Sequence, residues 1–238
     1  MFNYDVLCVG SATVDNFLTV DQSLKGIKLG DKVLVKSREI HSGGGASNSA
    51  AALSKLELKA KILTKLGHDH DADFILKELQ QYKVKNICKH RSQKSTDNAT
   101  IISSTKERDR IIYVYKGASQ ELNSADFNKS QLKSRWIYLA TLMGKSLQTA
   151  KEIAQYAEKN NISVLFNPSL YLAKKGKAYL KPFLQATTAL VLNKEEAQAI
   201  LNKKNNTKEL LLGLSALGPK IVVITDGPKK LFALAENK

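Results

Sequence analysis

Apolar residues fall along this chain in short blocks that switch between two periods. Tyr4 to Gly10 is an apolar run closed by a glycine, the pattern of a strand buried on both faces that feeds a loop. Ala46 to Leu58 repeats apolar positions on a helical period, and Lys61 to Leu66 returns to a strand pattern closed by Gly67. Asp71 to Tyr82 sets Phe74, Ile75, Leu76 and Leu79 on one side behind an acidic start, which predicts a helix, with Val84 to Cys88 as the strand after it. From Arg135 the rhythm continues as strand Trp136 to Ala140, helix Ser146 to Lys159 and strand Ile162 to Phe166. Strand Ala189 to Leu192, helix Lys194 to Leu201 and strand Lys220 to Thr225 complete it. Alternation of this kind predicts βαβ units around a mostly parallel sheet.

Between Asp97 and Tyr115 the texture changes. β-branched and aromatic residues in Ala99 to Ser103 and Arg110 to Tyr115 flank the polar stretch Ser104 to Asp109, a hairpin signal. An antiparallel pair inserted in a βαβ chain builds an appendage, and Asn16 to Val20 with Asp31 to Glu39 are extended, polar-alternating candidates for the same one. These four pieces are expected to form a lid, drawn from about residues 16–40 and 95–118, on a single domain of residues 1–238. No internal repeat or low-complexity linker interrupts the pattern.

Composition bounds this picture without redrawing it. A chain of 238 residues, 43% of them hydrophobic, buries a full α/β core. No stretch nears the roughly 20 apolar residues of a membrane span, and Met1 leads into Asn3, Tyr4 and Asp5 rather than a signal peptide, so a cytoplasmic protein without membrane contact is expected. Cys8 and Cys88 each lie inside an apolar run, which reads as buried free thiols and not as a disulfide framework or a metal cage. The net charge of +15 raises the question of nucleic acid. The lysines are spread along the chain, as in Lys55, Lys59, Lys61 and Lys65 or Lys174, Lys175 and Lys177, rather than gathered on one face, so no nucleic-acid site is expected and an anionic small substrate fits better.

Ser42 to Ala50 places Gly43, Gly44 and Gly45 directly before a small-residue helix, so that backbone N–H groups can approach a ligand; a tight turn needing glycine for conformation alone is the plainer account. Other patterns point nowhere. Met143-Gly144-Lys145-Ser146 is not a phosphate-binding P-loop, because that loop needs a glycine where Leu139 stands. Val9-Gly10-Ser11-Ala12-Thr13-Val14 lacks the further glycines of a dinucleotide fingerprint. His68-Asp69-His70-Asp71 reads as a solvated loop rather than a metal cluster, and Trp136 as packing rather than a ligand platform.

Read in order, Val9-Gly10-Ser11 with Asp15, Gly43-Gly44-Gly45-Ala46 with Asn48, Gly67 with Asp69, Lys116-Gly117-Ala118-Ser119, Asn193 with Glu195-Glu196, and Thr225-Asp226-Gly227 resemble the ribokinase (PfkB) family over essentially the whole chain. The resemblance implies a doubly wound α/β core, a β-sheet lid over the acceptor, and MgATP-dependent phosphorylation of a hydroxymethyl group on a sugar or nucleoside. Asp15, Gly43, Gly44 and Asn48 would bind the acceptor, a carboxylate suiting a vicinal diol. Asn193 and Glu196 would lie near the phosphates and Mg²⁺, although acids in a first helical turn also simply favour the helix dipole. Thr225 and Gly227 would touch the nucleotide.

The resemblance also implies a Gly-Ala-Gly-Asp signature, with the catalytic base, after a hairpin that Leu231 to Ala235 begins, whereas this sequence ends at Lys238. A truncated, slow or inactive kinase is therefore expected, with a non-catalytic ligand-binding or interaction protein on the same fold as the alternative. A homodimer through the lid is compatible with either, since Ile101, Ile111, Tyr113 and Tyr115 would leave apolar surface and strand edges open.

Overall fold

The structure, a computed structural model, describes residues 2–204, 206–227 and 230–235. In chain order the first half gives β1 (Val6–Val9), β2 (Thr13–Val20), β3 (Ser37–Gly43), α1 (Gly45–Lys55), β4 (Ala60–Leu63), α2 (His70–Gln81), β5 (Lys85–Asn86), β6 (Asp97–Ser104) and β7 (Arg110–Tyr115). The second gives β8 (Trp136–Ala140), α3 (Ser146–Lys159), β9 (Ser163–Asn167), α4 (Leu170–Ala173), α5 (Gly176–Ala186), β10 (Ala189–Asn193), α6 (Lys194–Leu201), α7 (Thr207–Ser215), β11 (Ile221–Asp226) and β12 (Lys230–Ala235). The large sheet runs β12-β11-β10-β9-β8-β1-β4-β5, parallel throughout except for β12, which pairs antiparallel with β11.

The alternation of side chains along each strand sorts the core into two faces. Ile137, Leu139, Val164, Phe166, Leu190, Leu192, Val222 and Ile224 point to one face, where they pack with Ile153 of α3, Leu180 and Phe183 of α5, Ile200 of α6 and Leu210 and Leu214 of α7. On the opposite face α1 and α2 cover β1 and β4 through Ala46, Ala50, Ile75 and Leu79 against Val6, Cys8 and Ile62. Beyond α1 the described residues place no helix over that second face. Trp136, Tyr138, Leu165, Val191 and Val223 are only half-buried there, and Leu231 is 64% exposed. A shallow recess of about 550 Å³ runs along it between Leu53 and Leu165. Trp136 thus stands on an open sheet face, not inside a closed core.

β2, β3, β6 and β7 form a separate sheet in the order β3-β2-β6-β7, with β2 and β6 parallel and the outer pairs antiparallel. The expected lid is present, with one correction. Its second strand is not Asp31 to Glu39 but β3, beginning at Ser37, because Lys36 N donates to Thr19 O (2.7 Å) and the ladder then runs on to pair Gly43 with Thr13 at the start of α1. Two smaller expectations also shift: the strand expected over Val84 to Cys88 shrinks to Lys85–Asn86, and Cys88 is half-buried whereas Cys8 is fully buried. Burial pushes the Cys8 thiol up to about 12, which leaves it an inert core group.

Candidate active site

From β1 the chain passes through the first lid hairpin and α1 to β4 and β5 on one side, and later through β8, β9, β10 and β11 on the other. The strand order therefore reverses between β1 and β8, and in open α/β sheets a ligand crevice forms outside the carboxyl ends of the strands at such a switch point. A recess of about 280 Å³ lies there, lined by Ser11 after β1, Gly45 at the start of α1, Lys116 and Ser119 after the lid, Asn167 at the end of β9, and Glu196 in α6.

Close backbone packing shapes its α1 side. Gly44 has φ 99°, and a Cβ there would overlap Ser11 O and Ala12 Cα, so residue 44 must be glycine for the helix to start against the exit of β1. A Cβ on Gly43 would collide with the Asp15 carboxylate, which lies across the β2–β3 pair and accepts a hydrogen bond from Thr13 Oγ1 (2.8 Å). No side chain caps α1, so its amino end is left to other acceptors. Asp15, Gly43 and Gly44 are thus brought together. Asn48 is not: it is exposed one turn along α1 and lines a different recess with His41, Ser42 and Glu78.

Asn167 at the end of β9 and Glu196 in α6 make the other side of the crevice, and the ends of β10 and β11 lie further along the same sheet edge. Asn193 Oδ1 accepts from Glu196 N and Glu196 Oε2 accepts from Asn193 N, both at 2.9 Å, a reciprocal capping box that fixes the first turn of α6. Burial pushes the Glu196 carboxyl above its ordinary value, against the pull of the Asn193 N–H and with a further push from Glu195. Thr225 is the ladder partner of Asn193, Lys194 Nζ lies 3.4 Å from Asp226 Oδ2, and Gly227 follows with φ 56°. Four inter-strand steps of about 4.8 Å separate β1 from β11, a span of about 19 Å along one sheet edge. No group of three or more metal-ligating side chains is found among the described residues, and Glu196 offers here a single carboxylate, the kind of donor that a hydrated Mg²⁺ takes.

Lys116 and Ser119 belong to the Lys116-Gly117-Ala118-Ser119 motif but carried no assigned role, and Asp97 and Asn167 were missed. Asp97 is buried at the start of β6 and accepts from Gly117 N (3.0 Å), Ser119 N (3.1 Å) and Ser119 Oγ (2.6 Å), with Lys116 Nζ 3.1 Å away. One carboxylate thereby wraps the loop after the lid and holds Lys116 and Ser119 on the crevice wall. Asn167 is fixed by Tyr138 Oη at 3.2 Å and Val191 O at 2.7 Å, and its only sequence signal is a polar residue ending a buried strand. Asp69 is not merely solvated. It caps α2 through Ala72 N (2.9 Å) and accepts from Thr96 N and Thr96 Oγ1 (2.7 Å each), tying that loop to the lid. Ser146 Oγ donates to Ser119 O (2.7 Å), so the Gly144-Lys145-Ser146 stretch braces the crevice wall.

Fold and site together define a doubly wound α/β protein with a crevice at the switch point and a separate four-stranded lid sheet. The model of the pfkB family carbohydrate kinases matches residues 3–237. The chain belongs to that family. It is 23% identical over 239 residues to a ribokinase of Staphylococcus aureus, covering 98% of this chain and 76% of the relative. It is 26% identical over 240 residues to a nucleoside kinase of Methanocaldococcus jannaschii, covering 98% and 73%. The structure of Arabidopsis thaliana ribokinase complexed with ribose and ATP superposes with a TM-score of 0.78 at 17% identity, covering 99% of this chain and 76% of that one. The chain therefore spans about three quarters of the length of these relatives.

Proposed function

We propose that the protein is an ATP-dependent phosphotransferase acting on a hydroxymethyl group of a sugar, sugar derivative or nucleoside. The observation that supports this reading is the switch-point crevice lined by Ser11, Gly45, Lys116, Ser119, Asn167 and Glu196, with Asp15, Gly43 and Gly44 packed together next to Ser11 and Gly45 outside its lining. Asp15 accepts hydrogen bonds from acceptor hydroxyls, a charge-assisted contact that fixes which hydroxyl faces the nucleotide. Asn48 joins the acceptor site only if the lid rearranges over it. Asn193 and Glu196 hold the phosphate end, and Thr225 and Gly227 border the nucleotide. When bound, Mg²⁺ supplies charge neutralisation for the phosphates, and Glu196 is the carboxylate placed to take it. The lid excludes water from the transfer, and we place the protein in the cytoplasm, where its nucleotide is at hand.

Glu196 is the only carboxylate among the described residues that line the crevice, and it is engaged in the capping box. Among the described residues the acceptor end is given a carboxylate, Asp15, for binding and none for proton transfer, so the polypeptide of residues 1–238 is proposed to bind its acceptor weakly and to transfer phosphate far below the ~1–100 s⁻¹ of ordinary kinases. A panel of sugars, sugar phosphates and nucleosides, read by thermal shift and by ADP release with MgATP, tests both parts. A stabilising acceptor with negligible ADP release is expected. No shift with any member would sink the acceptor reading, and ordinary kinase rates would place a base among these residues.

A further inference from the structure

A second recess, of about 580 Å³, opens at the opposite, amino-terminal edge of the sheet. Tyr4 before β1, Lys61 in β4, Lys85 in β5 and Lys133 before β8 line it, with no aspartate or glutamate among the described lining residues. Lys61 and Lys85 are direct ladder partners on adjacent strands, an arrangement of like charges that costs stability unless something neutralises it. Lys61 is only 4% exposed. Its Nζ donates to Gln131 O (2.6 Å) and Lys133 O (3.0 Å) and lies 4.5 Å from the centre of the Tyr4 ring. These contacts satisfy its hydrogen bonds, yet no carboxylate lies within salt-bridge distance of Lys61, Lys85 or Lys133 among the described residues. Asp5, next to Tyr4 in sequence, is turned to Arg135 Nη1 (3.2 Å) and Lys59 N (2.9 Å).

A buried ammonium without a counter-charge is unusual, because buried charges are ordinarily paired. Here it borders a cavity of ligand size that Lys85 and Lys133 also line. We propose that this amino-edge recess binds a phosphate-bearing small molecule, with Lys61, Lys85 and Lys133 as its cationic wall. Lysines act on phosphate as point charges, so three of them from separate segments suit a tetrahedral anion. Asn3 and Asn160 line the remaining volume and offer amides to hydroxyl groups. The recess lies at the sheet edge opposite the switch-point crevice, so the proposal does not depend on the reading of that crevice.

Calorimetric titration at constant ionic strength tests it, with inorganic phosphate and ribose 5-phosphate as probes. Lys85 and Lys133 are exposed, so a Lys85→Ser/Lys133→Ser double variant is expected to fold, whereas Lys61 also braces the loop before β8. The wild type is expected to bind one equivalent, and the double variant at least ~10-fold more weakly. A Lys177→Ser/Lys181→Ser control, which removes the same charge from α5, is expected to keep wild-type affinity. Tighter binding of ribose 5-phosphate assigns the recess to a phosphorylated sugar, and equal affinity assigns it to free phosphate. The proposal is overturned by no binding of either probe to the wild type, by undiminished affinity in the double variant, or by equal weakening in the control.

Discussion

Asp15 reaches its place because residue 43 has no side chain, and Gly44 turns the chain into α1 because its φ is positive. The glycine triplet was legible as a helix entry that needs glycine, with a plain turn as the other account, and Asp15 stood out only through the family resemblance. Asn193 and Glu196 were legible as a pair, but what fixes them locally is a capping box, the same chemistry that starts many helices without any ligand. Asp97 was not legible, and Lys116 only as part of a motif, because their contact joins the two ends of a hairpin and no local pattern encodes it. Glu196 yields a prediction with a definite sign. Its folded pKa is raised by burial, so its contribution to stability is fully present below the ordinary carboxylate value of about 4.3 and is lost as pH rises through the raised value. Glu196→Gln keeps an oxygen for the capping box and removes the titration. Melting temperature followed from about pH 4 to 7 should therefore fall more steeply on that account in the wild type than in the variant. Bound Mg²⁺ should reverse the trend in the wild type by favouring the ionised carboxylate. Superimposable pH profiles would refute the assignment.

Among the elements, α3 and α6 begin and end where their patterns predict, at Ser146–Lys159 and Lys194–Leu201, because an uninterrupted helical period and, for α6, a cap mark their bounds. α4 and α5 were invisible for the converse reason. Gly176 and the run of lysines around it read as a loop, and Pro182 inside α5 reads as a breaker, whereas Leu180, Phe183 and Leu184 packed into the core outweigh those local signals. The lid shows the limit of period-2 reading. Its strands are short of a core on one side, so register and bounds follow their ladder partners, and β3 slides to meet α1. β7 is the outer strand and is exposed along its whole length, including Ile111, Ile112, Tyr113, Val114 and Tyr115. An open apolar edge of that kind invites pairing, and we propose that a second copy of the chain covers it. Sedimentation at micromolar concentration should show a dimer that Ile112→Lys with Val114→Lys dissociates; a wild type that is monomeric throughout would contradict this.

The whole molecule is asymmetric about its large sheet. Among the described residues one face carries α3, α5, α6 and α7 over a continuous core, while the other is covered by α1 and α2 only over β1, β4 and their neighbours. Parallel sheets are ordinarily covered on both faces, and adjacent residues of β10 should register the difference. Leu190, fully buried, should cost about 2–5 kcal/mol on change to alanine. Val191, half-buried on the open face, should tolerate threonine at a cost of about 1 kcal/mol or less. Equal costs in denaturant unfolding would mean that the second face is covered in solution. The central claim is that the switch-point crevice is the acceptor site of a pfkB-family kinase, and Asp15 is its most exposed point of test. Among the described residues its one side-chain hydrogen-bond partner is the Thr13 hydroxyl, so Asp15→Ala should leave melting within a few degrees of the wild type. Removing a charge-assisted hydrogen bond should nevertheless weaken the acceptor about 10- to 100-fold. Ligand-observed saturation-transfer NMR suits a weak complex and reads this directly. The account predicts a saturation signal from at least one sugar or nucleoside with the wild type that disappears with Asp15→Ala, and an undiminished signal in the folded variant would contradict it.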